Sequence, residues 1–333
     1  MVFQPIFVYS YHMVIFQVSE REDGQRIEKF VKKALPEAPL GYLYKAFRKK
    51  DIKINGHWVN KDAIVHAGDE VRVYVTDQQR ADFLKARPAA KKPFPYEIVY
   101  EDENVLLVNK PAGILVYGDQ SETRNTLTQN VLDYLYYKDE FNPEQPSFVP
   151  SPAHRLDRNT SGLVIFGKRD GALRELERLF KERDQLEKKY YALVIGHLEG
   201  SGTIDAPLKK DSKTGMVRVC PVKDGGKNAK TIWKAVEHYG DFTLLECELV
   251  TGRTHQIRVH LASINHPIAG DPKYGDFEVN RLLKERFNLK EQFLHASSLS
   301  FGAVQPPLTY LKGKCFEASL PFSKKRLLGS LRA

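Results

Sequence analysis

The stretch of this chain richest in reactive side chains is HRLDRNTSGLVIFGK, residues 154–168. It sets one carboxylate, Asp157, between Arg155 and Arg158, and follows it with Asn159, Thr160, Ser161 and Gly162, residue types suited to a tight turn. The apolar run LVIFG then reads as a strand. A loop that leads straight into a strand can hold a carboxylate in one direction on a rigid element, which a nucleophile or base requires. The same residues also fit a surface aspartate that only hydrogen-bonds its own turn, and the segment taken alone does not separate the two.

Other reactive residue types are scattered. His154, His255, His260, His266 and His295 fall into no HExxH or His/Cys ligand spacing, so no metal is expected. Cys220, Cys247 and Cys315 form no CxxC pair, which argues against a zinc site or a disulfide framework and points to a reducing, cytoplasmic compartment. A glycosidase built on Asp157 would need a second positioned carboxylate, and no motif supplies one.

The elements that must position Asp157 come from a chain of 333 residues, about two domains' worth, with 42% apolar and 28% charged residues, so a sizeable core is affordable. The opening run MVFQPIFVYSYHMVIFQ is greasy but lacks a basic start and is shorter than the ~20 apolar residues of a spanning helix, so neither signal nor anchor is expected. Because Met13 opens a plausible strand, we expect residues 1–12 to be an extension, with residues 1–19 outside the first domain. Ile27, Phe30, Val31, Ala34 and Leu35 recur at helical spacing until Pro36 and Pro39 stop the run, and a second helix follows through Tyr42 to Lys49. DIKINGHWV predicts a hairpin around Asn55 and Gly56, and VRVYV a further strand. Residues 78–95 gather Pro88, Pro93 and Pro95 with Lys91 and Lys92 and read as a semi-stiff linker. Beyond it, EIVYEDENVLLVNKPAG predicts two strands around an acidic turn, and helices are expected at about 124–137, 170–186 and 254–264. Strands and helices without regular βαβ alternation predict an α+β domain on a mixed, largely antiparallel sheet over residues 96–325, followed by a basic tail at 326–333.

The formal charge of +9 favours a polyanionic partner, because neutralising phosphates releases counterions. GQRIEKFV, YKAFRKKDIKING and AGDEVRV, within residues 20–77, resemble the small S-four-like RNA-binding domain first seen in a ribosomal small-subunit protein. That resemblance implies that Arg26, Lys45, Arg48, Lys49, Lys50 and Lys53, with Tyr42 and Tyr44 interleaved, meet RNA phosphates.

HRLDRNTSGL, KKYYALVIG (188–196), TGRTHQIRVHLASINHPIAGDPKYG (251–275), FLHASSLSF (293–301) and NKPAGILV (109–116) occur in the order that marks the RluA family of pseudouridine synthases, and the chain resembles that family across about residues 20–322. The resemblance implies an isomerase that needs no cofactor, acts on structured RNA, expectedly 23S ribosomal RNA, and works as a monomer away from membranes. It assigns Asp157 as the catalytic carboxylate, Arg258 as the cation that keeps it charged, with Arg253 as second choice, and Tyr190 as the aromatic that stacks on the target uracil and moves a proton. It places Arg155 where a side chain inserts into the RNA or meets a phosphate, and His154, Gln256 and Thr160 at the substrate. Tyr117 departs from the family, which commonly has His there. The rival reading is a non-catalytic RNA-binding or ribosome-assembly factor on the same fold, which would have no need for a carboxylate in an anionic ligand's pocket.

Overall fold

The computed structural model describes residues 11–35, 38–76, 79, 94–118, 125–142, 148–182, 184–211 and 214–332. These divide near residue 90 into two compact units. Most of the expected linker, residues 78–95, lies outside the described residues.

In chain order the first unit is β1 (Tyr11–Gln17), β2 (Gln25–Arg26), α1 (Ile27–Ala34), α2 (Leu40–Lys49), β3 (Ile52–Ile54), β4 (His57–Trp58), β5 (Ile64–Val65) and β6 (Glu70–Thr76). Its sheet runs β1–β6–β3–β4, with β2 and β5 as a separate ladder. The helical repeat read from the sequence is the core: Ile27, Phe30, Val31, Leu35, Leu43, Ala46 and Phe47 bury against Ile52, Val71, Val73 and Val75. Asn55 and Gly56 both take positive φ, 48° and 82°, as a two-residue hairpin turn matched to strand twist demands. The first strand is a correction to the expected boundary. It starts at Tyr11, two residues ahead of the expected Met13, and pairs with β6 over seven residues, so it joins this unit's sheet.

The second unit contains β7 (Glu97–Glu101), β8 (Val105–Lys110), α3 (Leu127–Tyr137), β9 (Ser151–Pro152), β10 (Ser161–Gly167), α4 (Asp170–Glu182), β11 (Leu186–Ile195), β12 (Ser201–Asp205), β13 (Leu208–Lys210), β14 (Val217–Val219), β15 (Lys230–Tyr239), β16 (Phe242–Leu249), α5 (Gln256–Ser263), α6 (Phe277–Phe287), β17 (Leu294–Phe301), β18 (Cys315–Glu317) and α7 (Phe322–Arg332). Ten strands share one sheet, β12–β15–β16–β11–β17–β10–β8–β7 with β18 on β17 and β9 on β10. The contact of β10 with β17 is parallel and the other ladders of this sheet are antiparallel, so the fold is the mixed, mostly antiparallel α+β class expected.

All seven residues of β10 are buried, because both faces of the sheet centre are covered. Alternate residues serve opposite layers: Leu106, Val108, Val164 and Phe166 pack with α3, while Val105, Leu107, Leu163 and Ile165 pack with α4. The expected basic tail is a second correction. Residues 322–332 form α7, and Leu327 and Leu328 bury in the main core, because their apolar side chains outweigh the charge of their neighbours.

Candidate active site

Asp157 stands just ahead of β10, and the main chain there is tied down on three sides. The Thr160 amide donates to the Asp157 carbonyl at 3.1 Å, Leu156 is buried, and the Gly113 amide donates to the Arg158 carbonyl at 2.9 Å. Lys110 completes the clamp from beneath. Its ammonium is fully buried and donates to the carbonyls of Pro111, Ile114 and Arg158 at 2.8, 2.9 and 3.0 Å. Burial pulls its pKa down to about 7, against the opposing pull of the Asp157 charge.

The turn is shorter than expected. Ser161 and Gly162 are already strand residues, and the bend is made by Arg158 and Asn159. Gly162 has φ +115° and lies so close to β17 that a Cβ there would sit 2.2 Å from the Ala296 carbonyl oxygen. Glycine is therefore required by close approach of backbone and not only by turn chemistry. Ala296 also pairs with Tyr190 from the other side, and the β11–β17 register shifts between Lys189 and Tyr190. That irregularity lets the strand re-aim Tyr190. The sheet order β11–β17–β10 thus brings together a tyrosine and a carboxylate 33 residues apart in sequence (190 − 157). Burial, then the charge of Asp157, raises the Tyr190 pKa, so the phenol stays protonated at neutral pH.

Arg258 on α5 is the partner of Asp157. Its Nη1 donates to Asp157 Oδ2 at 2.9 Å, while Nε and Nη2 donate to the two oxygens of Asp271 at 2.7 and 2.8 Å. Asp271 is itself buried and accepts from the Lys273 and Tyr274 amides, and the Tyr274 ring lies 5.1 Å from the guanidinium. Burial alone would lower the Arg258 pKa, but Asp271 and then Asp157 raise it. The planar fork is thereby fixed on one edge and presents the other to the Asp157 loop, a geometry that a lysine could not reproduce. His255 caps α5 in a left-handed conformation, φ 53°, with Nδ1 2.8 Å from the Tyr274 hydroxyl and Nε2 3.8 Å from Asp157. Burial lowers its pKa, with Asp157 opposing.

The structure thus brings Asp157 and Arg258 into contact and sets Tyr190 behind the same loop. Arg155 is exposed beside them. Arg253 is not the carboxylate's partner, since its Nε donates to the Asn228 carbonyl at 2.9 Å. Three residues expected at the substrate make hydrogen bonds within the protein. His154 stacks on Phe180, ring centroids 4.4 Å apart, and its Nε2 accepts from the Ile165 amide; burial, then the charge of Lys188, takes its pKa to about 3. Gln256 is buried and its amide is used up: Oε1 accepts from Thr251 and the Arg253 amide, and Nε2 donates to the Lys230 carbonyl and Thr231. Thr160 is 2% exposed, with its hydroxyl accepting from Gln292. These contacts brace the loop and helix from behind.

Sequence reasoning missed Lys110, Asp271, His255 and Tyr274 as supports. All four lay inside the motifs, Lys110 in NKPAG, His255 in TGRTHQIR, and Asp271 and Tyr274 in GDPKYG, so the signal was present without a contact to give it meaning. Among the described residues no group of three or more His, Cys, Asp or Glu side chains is arranged to hold a metal ion, and no helix is long and apolar enough to cross a membrane.

The RNA pseudouridylate synthase family profile matches residues 104–263, which include the Asp157 loop, Tyr190 and Arg258. The chain is 35% identical over 289 residues to the ribosomal large subunit pseudouridine synthase C of Vibrio cholerae, covering 85% of this chain and 87% of that protein. It is 35% identical over 291 residues to the protein of the same name from Escherichia coli, covering 86% and 88%. An uncharacterized RNA pseudouridine synthase of Bacillus subtilis, YlyB, is 34% identical over 317 residues, covering 94% and 96%. Among solved structures, the human RNA pseudouridylate synthase domain containing 4 superposes with a TM-score of 0.55 at 25% identity, over 71% of this chain and 92% of that one. Similarity of this strength over 87% or more of such relatives is inheritance and not convergence of a loop, so the chain belongs to the RNA pseudouridylate synthases, within their RluA type.

Proposed function

We propose that this isomerase converts specific uridines of large-subunit ribosomal RNA, 23S in bacteria, into pseudouridine, with Asp157 as the carboxylate that opens the reaction. The observation that carries the assignment is the 2.9 Å contact from Arg258 to Asp157, with the rest of the guanidinium held by Asp271. Isomerisation breaks the bond from ribose C1′ to uracil N1, turns the base, joins C5 to C1′ and moves the C5 proton to N1 or solvent. No water, electron or metal is consumed. Whether the carboxylate adds to base or ribose, or removes a ribose proton, it must be held toward the reacting atom, and a fixed guanidinium sets that direction. Tyr190 stacks its ring on the uracil; because its phenol stays protonated, it assists at C5 only by handing on its own proton as it receives one.

The target base must leave its stack, at a cost of a few kcal/mol, and the exposed Arg155 beside Asp157 has the flat cation suited to fill the gap or grip the neighbouring phosphate. The first unit acts as an S-four-like RNA handle. Lys45, Arg48 and Lys49 are exposed at i, i+3 and i+4 on α2, and so share one face that a phosphate backbone can track. Lys50 and Lys53 extend this charge into the following turn and strand, whereas Arg26 is ion-paired with Asp62 and contributes less. Two relatives named for the large ribosomal subunit support that RNA as substrate. Pseudouridine mapping of ribosomal RNA from cells lacking the protein, complemented with wild type or Asp157→Asn, tests the whole reading. Sites that vanish and return only with wild type identify both substrate and carboxylate; sites that persist throughout move the substrate to another RNA.

A further inference from the structure

We propose that the first unit holds a stacking pocket for one unpaired RNA base, walled by Trp58 and Tyr44 and rimmed by Arg48 and Lys50. The inference rests on the RNA-handle reading of this unit and goes beyond charge. A groove of about 730 Å³ opens between α2 and residues 58–61, within the roughly 300–1,000 Å³ range of small-ligand sites. Trp58 is 57% exposed on the edge strand β4, and Tyr44 is 41% exposed on α2. Large rings left open to water on two different elements and facing one groove are a cost unless something covers them.

Both rings are held in place. The Tyr44 hydroxyl donates to Glu28 at 2.7 Å, and the Lys50 ammonium sits 4.5 Å from the Trp58 ring centroid. Lys50 can do this because it ends α2 in the left-handed conformation, φ 65°, which turns the chain back toward β4. Gly41, one helical turn before Tyr44, has no side chain to close the groove, and a Cβ there would meet nothing within 4 Å. Of the cations at the rim, Lys61 is engaged with Asp62 at 2.9 Å, while Arg48 is exposed and Lys50 already lies against an aromatic face.

Flat apolar walls with positive charge at the rim match one ligand chemistry, a nucleobase with its phosphates. A protein partner of apolar character would leave the rim charges uncompensated, and a bare phosphate would leave the rings uncovered. A duplex keeps its base faces stacked internally, so the pocket selects loops, bulges and single strands. The first unit would then recognise where its RNA is unpaired as well as grip its backbone.

The chain has two tryptophans, Trp58 and the buried Trp233, which makes the test direct. In the full-length protein carrying Trp233→Phe, titration with an oligouridylate should change Trp58 emission, and duplex RNA of equal charge should not. In a parallel binding assay that does not depend on Trp233, Trp58→Ala in an otherwise wild-type chain should weaken single-strand binding about 5- to 100-fold, the range expected for a lost base stack, and leave duplex binding within about twofold. Trp58→Phe should restore most of it. Single-strand affinity unchanged by Trp58→Ala, or Trp58 emission unmoved at saturation, overturns the pocket while leaving the charge-based handle intact. A triple variant Lys45→Ala, Arg48→Ala, Lys49→Ala tests the handle itself: an unchanged salt slope removes the first unit from RNA binding, and the pocket with it.

Discussion

Each unit contains an arginine–aspartate pair, and the two behave differently. Arg26 and Asp62 approach to 3.3 Å with side chains 66% and 51% exposed; Arg258 and Asp157 approach to 2.9 Å with side chains 5% and 26% exposed. Water screens the first pair and competes for both partners, so it adds little to stability. The second pair has no such competitor on the arginine side, and the guanidinium is already committed to Asp271. The comparison teaches that cations of the same type serve opposite ends here. In the first unit the cation stays exposed to solvent, and in the second it is immobilised and holds one carboxylate in a fixed direction.

The largest effect should come from removing that carboxylate. Asp157→Asn should abolish pseudouridine formation on purified RNA while circular dichroism and melting temperature stay near wild type, because the amide keeps the shape and can still face Arg258. Asp271→Asn tests whether the immobilisation matters. The Arg258 fork would keep its contact with Asp157 but lose its charged anchor, and a misplacement of the order of 1 Å costs about 100-fold in rate. Single-turnover kinetics should show the loss in the chemical step with RNA affinity nearly unchanged; a pure affinity defect would sink this role.

Burial also makes the second unit sensitive to acid. His154 and His295 have pKa values of about 3 and about 4 in the folded chain, against an ordinary 6.5, with burial the leading cause for both. Both are neutral when folded and take protons more readily when unfolded. Stability is therefore highest above pH 6.5 and falls as the pH drops from 6.5 toward 4, by on the order of 3 kcal/mol for each histidine. Lys110, at about 7 instead of 10.5, acts in the same direction at higher pH, adding stability between about 7 and 10.5 as the unfolded ammonium loses its advantage. Urea melts across pH should follow this rise, and a flat profile would mean that these groups are solvated in solution.

The exposed charges should give the smallest effects. Arg48→Ala should leave catalysis on a short substrate unchanged and lower the salt slope of RNA binding by about one. Arg26→Ala should leave the melting temperature within about two degrees of wild type, since its pair with Asp62 is open to water. A marked loss of stability there would erase the distinction between the two units.

Much of the site was legible before any coordinates. The Asp157 loop, Tyr190 and Arg258 lie in long motifs whose resemblance to a known family singled them out, and the helices of the first unit follow from the spacing of Ile27, Phe30, Val31 and Leu35. The internal hydrogen bonds of Gln256, Thr160 and His154 were not legible, because a polar residue in a motif looks the same in sequence whether its hydrogen bonds go to a ligand or to the protein. The C-terminal residues looked like a solvated basic tail because the surface that accepts Leu327 and Leu328 is assembled from strands and helices far away in sequence.

The sequence by itself determined the helices and strands that carry the site, because turn propensity and hydrophobic period are local properties, while the reaction class and the pairing of Arg258 with Asp157 came as expectations from the resemblance of its motifs to a known family. Only the tertiary structure decided that Arg258 is clamped by Asp271, that Gly162 is required by the backbone of Ala296, and that Lys110 is buried under the loop on three carbonyls. Each depends on which segments the sheet places side by side and on how much water that leaves between them, and neither is written at any single position of the chain.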